Sequence, residues 1–251
     1  GCPLLLDATP IHVRFSAVCR STVYPTGRSN KTRRGTNQFK HVLTAQASNQ
    51  DLIDAKSKLR KLLNDPELDD KGIFIVDEDF EEELNTVIRD VEQCVGIKHP
   101  LSDHGFGVLN GKWVLRYTTL QILGPKRVKL GLGKGGLVRI ENLYQIIDKE
   151  HSTALNQVEF NVLGMVKGFF SIKAKYAVDP NVESLSRVLV ETESATLTPK
   201  KLQELLGENF DLLLSIFRPD GHLDITYLDD TLRIGRDNRG HLYVLEKVDE
   251  P

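Results

Sequence analysis

The sequence predicts a mainly β protein: an antiparallel β-barrel of about eight strands, preceded by helices and with one short helix between strands. Three observations predict it. From Gly105 onward, apolar and polar residues alternate with period two through most of the chain, as half-buried antiparallel strands do. Turn signals separate the alternating runs: Asp179-Pro180-Asn181, Pro219-Asp220-Gly221 and Asp237-Asn238-Arg239-Gly240. Before Gly105 the apolar spacing is helical instead.

Residues 1–48 read as an address rather than a fold. They are rich in Ser, Thr and Arg, and carry seven basic residues against one acid, Asp7. That composition fits a chloroplast or mitochondrial transit peptide, and the absence of an apolar h-region argues against a secretory signal. The small-residue run Thr44-Ala45-Gln46-Ala47-Ser48 is a plausible cleavage neighbourhood, and a retained disordered basic arm is the alternative.

Residues 49–104 form a helical segment. Leu52, Ala55, Leu59, Leu62 and Leu63 repeat at helical spacing over 51–64, which Asp65-Pro66 ends. Phe80, Leu84, Val87, Ile88 and Val91 make the stripe of a second helix over 79–95, whose acidic first turn suits the helix dipole. Both stripes are expected to pack on the main domain; the alternative is that one lies on a lipid surface.

Residues 105–251 form the barrel domain. Alternation is clearest over 113–119 and 166–178, and recurs near 138–147, 156–162, 187–196, 223–228, 231–235 and 241–247. The short helix starts at Thr198-Pro199 and stops at Gly207. Closure into a barrel removes sheet edges, although alternation alone also permits a β-sandwich. At about eight strands the interior holds either side chains or one small ligand. The inward candidates are Trp113, Leu115, Tyr117, Tyr144, Phe160, Phe170, Ile172, Tyr176, Ile225, Tyr227 and Val244. They would line an apolar ligand site or simply fill the core.

Charge narrows the partners. The chain carries a net charge of −2, and with the basic leader set aside the remainder is distinctly acidic. Such a body argues against nucleic acid, which rewards basic patches, and against electrostatic docking on anionic lipid. No apolar run approaches the roughly 20 residues of a transmembrane helix. Cys2, Cys19 and Cys94 show neither disulfide nor zinc spacing.

Motifs that suggest chemistry read better as structure. Gly131-Leu132-Gly133-Lys134-Gly135-Gly136 contains a glycine-x-glycine-x-x-glycine pattern, but Leu137-Val138-Arg139-Ile140 after it reads as a strand, not the helix a dinucleotide site needs. It is expected to be a turn that flanks the barrel mouth. No histidine-glutamate-x-x-histidine or glycine-x-serine-x-glycine element occurs. His222 and His241 fall on the final hairpins, where they read as surface residues rather than metal ligands. Asp224, Asp229, Asp230, Arg233, Arg236, Asp237 and Arg239 form the densest charged cluster. It reads as cross-strand pairing rather than a general base. No metal, cofactor or catalytic residue is expected.

Asn110-Gly111-Lys112-Trp113 resembles the glycine-x-tryptophan element of lipocalin-like barrels, in which an arginine from the last strands stacks on the indole; Arg233 and Arg236 are the candidates. Two longer matches are more specific. Leu109 to Thr119 resembles the opening element, and Thr226 to Asp237 with Gly240 to Leu245 the closing element, of the plastid-lipid-associated (fibrillin) family. The resemblance covers most of 51–247. It implies structural roles for Gly111, Trp113, Asp229, Arg233 and Arg236 in closing the barrel end. It further implies a plastid location at plastoglobule or thylakoid surfaces, association with carotenoids, prenylquinones or other apolar lipids, and no enzymatic activity. In some members it implies assistance to a prenyl-lipid (plastoquinone) biosynthetic enzyme.

Overall fold

The computed structural model describes residues 49–65, 78–94, 96–120, 138–219 and 221–248. The expected leader of residues 1–48 and the expected glycine-rich turn of 131–136 lie outside them.

Among the described residues three helices come first: α1 (Asn49–Leu63), α2 (Glu78–Gln93) and α3 (Asp103–Leu109). Eight strands come after them: β1 (Gly111–Thr118), β2 (Val138–Asp148), β3 (Thr153–Val162), β4 (Val166–Val178), β5 (Arg187–Thr198), β6 (His222–Leu228), β7 (Leu232–Asp237) and β8 (Leu242–Lys247). Between β5 and β6 lie α4 (Lys200–Leu206), a 3₁₀ turn (Gly207–Asn209) and α5 (Phe210–Phe217). Each strand pairs antiparallel with the next, and β8 pairs back onto β1. The sheet is therefore a closed up-and-down barrel, not a sandwich.

Two helices escape the sequence pattern. Helix α3 has seven residues and two glycines, which depress helix propensity; it is held by Ser102, whose hydroxyl accepts the Gly105 N–H at 3.3 Å. Helix α5 is only eight residues long, six of them apolar, too short a run to tell a helix from a buried strand by its period. One detail also changes: Thr198 is the last residue of β5 rather than a helix cap, and Pro199 takes the N-cap position of α4.

The apolar stripes of α1 and α2 do pack on the barrel. Leu59, Leu63, Leu84, Val87, Ile88 and Val91 share one buried cluster with Tyr117, Tyr227, Leu232, Ile234, Leu242 and Val244. Those strand residues sit on the outer face of β1 and β6–β8. Two β-bulges place the tyrosines there. Pairing shifts register between Leu115 and Tyr117 in β1, and between Ile225 and Tyr227 in β6. An extra residue at a bulge puts two successive side chains on one face. Arg116 and Tyr117 both point outward as a result, as do Thr226 and Tyr227.

The ends of the barrel are closed by different elements. At one end Phe160, Phe170, Ile172 and Leu197 pack beneath Leu202, Leu206 and Leu213 of α4 and α5. Phe170 makes an edge contact with Phe210, centroids 5.5 Å apart. At the other end Leu109 of α3 packs on Trp113, Ile147, Ile225 and Leu245.

Candidate functional site

Inside the barrel, above the Trp113 end and opening beside α5 and the β7–β8 turn, lies a cavity of about 800 Å³. Its wall is mostly aliphatic, with Leu115, Leu143, Ile147, Val158, Val188, Val190, Ile225 and Leu245 drawn from six strands, and Tyr176 among them. The rim carries exposed polar residues: Asp211, Ser215 and Arg218 at α5, and Asn238 and Arg239 at the β7–β8 turn.

The floor is built around Trp113, which is fully buried. Its indole N–H donates to the Leu109 carbonyl at 2.8 Å, so its one polar atom is satisfied. The Arg233 guanidinium lies 5.0 Å from the indole centroid, a cation–π distance. Lys247 Nζ lies 5.4 Å from the same ring and donates to the Val108 carbonyl. Arg233 is 2% exposed. Its Nη2 donates to Gln145 Oε1 at 2.5 Å, and Gln145 Nε2 donates to Asn156 Oδ1 at 2.8 Å. Its Nε meets no acceptor among the described residues. Burial pushes the guanidinium pKa down to about 9, which leaves it charged at neutral pH.

The residues expected to face inward divide into four groups. Leu115, Tyr176 and Ile225 border the cavity, and Trp113 lies at its base. Phe160, Phe170 and Ile172 point inward but fill the packed end under α4 and α5. Tyr117, Tyr227 and Val244 turn away from the lumen and pack on α1 and α2. Tyr144 borders the cavity together with its neighbours Leu143 and Gln145. Register pairs it with outward-facing Val114, and Lys112 Nζ sits 3.9 Å over its ring. Its ring is therefore on the outer surface and its main chain on the wall.

The motif residues also separate. Gly111 opens β1 at φ 112°, a conformation that favours glycine. Arg233, not Arg236, covers the indole. Arg236 points outward and binds Glu92 of α2. Among the described residues Asp229 pairs with no arginine: it receives Lys56 of α1, the Tyr227 hydroxyl at 2.6 Å and the Thr231 N–H at 2.8 Å. It fastens α1 to the β6–β7 turn rather than closing the barrel end.

Sequence reading passed over Gln145, Asn156, Tyr243 and Leu245. Gln145 and Asn156 are polar residues on an inward face, and the alternation of Asn156 with Ala154 and Val158 was the available signal. His222 and His241 each sit against an acid, Asp224 at 3.9 Å and Asp237 at 2.8 Å. Among the described residues no group of three or more His, Cys, Asp or Glu is placed to hold a metal ion, and no helix is long and apolar enough to cross a membrane. What the geometry offers chemically is a chamber with a largely aliphatic wall, a polar rim and a cationic donor at its base.

Several plastid proteins are similar to this chain. It is 29% identical over 191 residues to a chloroplastic light-induced protein of Solanum tuberosum, covering 61% of this chain and 56% of that one. It is 26% identical over 207 residues to the chromoplast-specific carotenoid-associated protein C1 of an Oncidium hybrid cultivar, covering 67% and 62%. It is 27% identical over 190 residues to a chloroplastic plastid-lipid-associated protein of Citrus unshiu, covering 61% and 56%. The chain thus matches a little over half the length of the first of these relatives. No solved structure matches. The family described as PAP_fibrillin matches residues 54–246, from α1 to β8 and so across the whole cavity wall: the chain belongs to the PAP/fibrillin family.

Proposed function

We propose that this protein is a non-catalytic lipid-associated protein of plastids, and that it holds one apolar lipid chain inside its barrel. The cavity carries the proposal: about 800 Å³, with an aliphatic wall and a sealed floor. That volume falls within the roughly 300–1,000 Å³ of small-molecule sites. Each buried methylene gains about 0.8 kcal/mol, so about ten gain on the order of 8 kcal/mol before association costs. The relatives' names, carotenoid-associated and plastid-lipid-associated, support apolar plastid lipids such as carotenoids as the class, and prenylquinones are proposed beside them. Their chloroplastic or chromoplastic designations support a plastid location; thylakoid or plastoglobule surfaces as the site of action are part of the proposal.

The alternative, recruitment of a prenyl-lipid biosynthetic enzyme through α1 and α2, has less support. Their apolar stripes are already buried against β1 and β6–β8. Native mass spectrometry of the protein purified from plastid membranes separates the two readings. One co-purifying apolar lipid per chain is the expected result. A stoichiometric enzyme partner with an empty barrel would favour recruitment instead.

A further inference from the structure

We propose that the cavity takes its ligand head-down and that the head is a carboxylate seated against Arg233, so that the ligand class is a long-chain carboxylic acid. The inference rests on the proposed function, that the cavity holds an apolar chain, and adds the ligand's polar end and its orientation.

The floor is a donor surface without a counter-ion. Arg233 is 2% exposed and borders the cavity, and its Nε has no acceptor among the described residues. An arginine only donates, which fixes the polarity of the amides beside it. Gln145 must turn its oxygen to Arg233, so its amide nitrogen faces Asn156. Asn156 then uses its oxygen on Gln145 and presents its own NH₂ to the lumen it lines. The chain Arg233–Gln145–Asn156 thus turns the Gln145 and Asn156 oxygens inward along the relay, with the cation at one end and an amide donor at the other.

Charge points the same way. No carboxylate pairs with Arg233 or with Lys247 among the described residues, and both cations lie against Trp113. The nearest acid on β8, Glu246, is turned outward to Arg116. A buried cation left unpaired is costly, and a carboxylate supplies the missing charge through charge-assisted hydrogen bonds. The Asn156 amide at the lumen can donate to a carboxylate seated beside Arg233. A phosphate would bury further oxygens with nothing to donate to them. The aliphatic wall above then takes the tail.

The test uses the full chain and its single tryptophan, Trp113. Hexadecanoate and 1-hexadecanol are titrated at pH 7.4 by calorimetry. Hexadecanoate is expected to bind at least about tenfold tighter, and Arg233→Met is expected to abolish that preference. The wild-type comparison stands by itself should Arg233→Met not fold. Orientation is read from quenching: 2-bromohexadecanoate should quench Trp113 more strongly than 16-bromohexadecanoate. Equal affinity for acid and alcohol, or stronger quenching by the terminal bromine, overturns the head-down carboxylate and leaves the apolar-chain reading standing. Binding of neither probe overturns both.

Discussion

Arg236 on β7 grips Glu92 on α2 through two hydrogen bonds, Nε to Oε1 at 3.0 Å and Nη2 to Oε2 at 2.8 Å. Thr226 on β6 adds a third to the same carboxylate at 2.6 Å. The pairing clamps α2 across two adjacent strands, and the hydrogen bond to Glu92 raises the Arg236 pKa.

A forked, partly buried pair of this kind is worth more than a surface ion pair. Glu92→Gln and Arg236→Met are each expected to destabilise the fold by about 1–3 kcal/mol. Urea denaturation of the two single variants and the double variant checks it. The double variant should lose less than the two losses added together. Strict additivity would show that the pair is not coupled and that α2 is held by its apolar stripe alone.

Asp229 makes the α1 attachment sensitive to acid. Burial alone would raise its carboxyl pKa, but Lys56, the Tyr227 hydroxyl and the Thr231 N–H override it and hold the value down to about 2. An unfolded Asp titrates near ~3.9. The folded value is the lower one, so the stabilisation is present above about pH 4 and is lost as pH falls from about 4 towards 2. It amounts to about 3 kcal/mol at most. Asp229→Asn should therefore remove stability at pH 7 and flatten the pH dependence of thermal unfolding in that window. An unchanged slope would show that other carboxylates dominate.

The strands were legible because alternation survives wherever one face meets water. All eight lie where the period-two runs fall. The direction in which residues face was less legible, for two reasons seen in named residues. On β7, Leu232 and Ile234 point outward while Arg233 points in. Helices cover the outer face there, so apolar no longer means inward. At Tyr117 and Tyr227 a bulge shifts the parity by one residue, which moves a side chain to the opposite face. No local residue type announces either bulge. The cavity floor was half legible: Trp113 and an arginine partner follow from the opening and closing motifs, but Gln145 and Asn156 become a site only once β2 and β3 are paired.

Gly168 on β4 sets how closely α4 approaches. A Cβ there would lie 2.2 Å from the Thr198 carbonyl oxygen, 2.7 Å from Pro199 Cδ and 2.9 Å from Leu202 Cδ2. The first of these is main chain and cannot move aside alone. Gly168→Ala should cost about 1–3 kcal/mol by overpacking. It should also raise amide exchange in α4 while leaving α1 and α2 unchanged. Full stability with unaltered exchange would show that the end cap tolerates displacement.

Adjacent residues on β5 offer a direct reading of the lumen. Val190 borders the cavity, whereas Leu189, one position earlier, faces out and is 41% exposed. Val190→Trp adds bulk where space exists. It should fill part of the chamber with little loss of stability, since the neighbouring atoms need not shift. Ligand capacity should fall sharply with it. Leu189→Trp adds the same indole to the opposite face and should leave binding unchanged. Thermal unfolding and retention of an apolar lipid probe, measured on both variants, give the answer. If Val190→Trp binds as wild type does, the ligand sits elsewhere than in the barrel; if both variants lose binding, the outer face of β5 takes part.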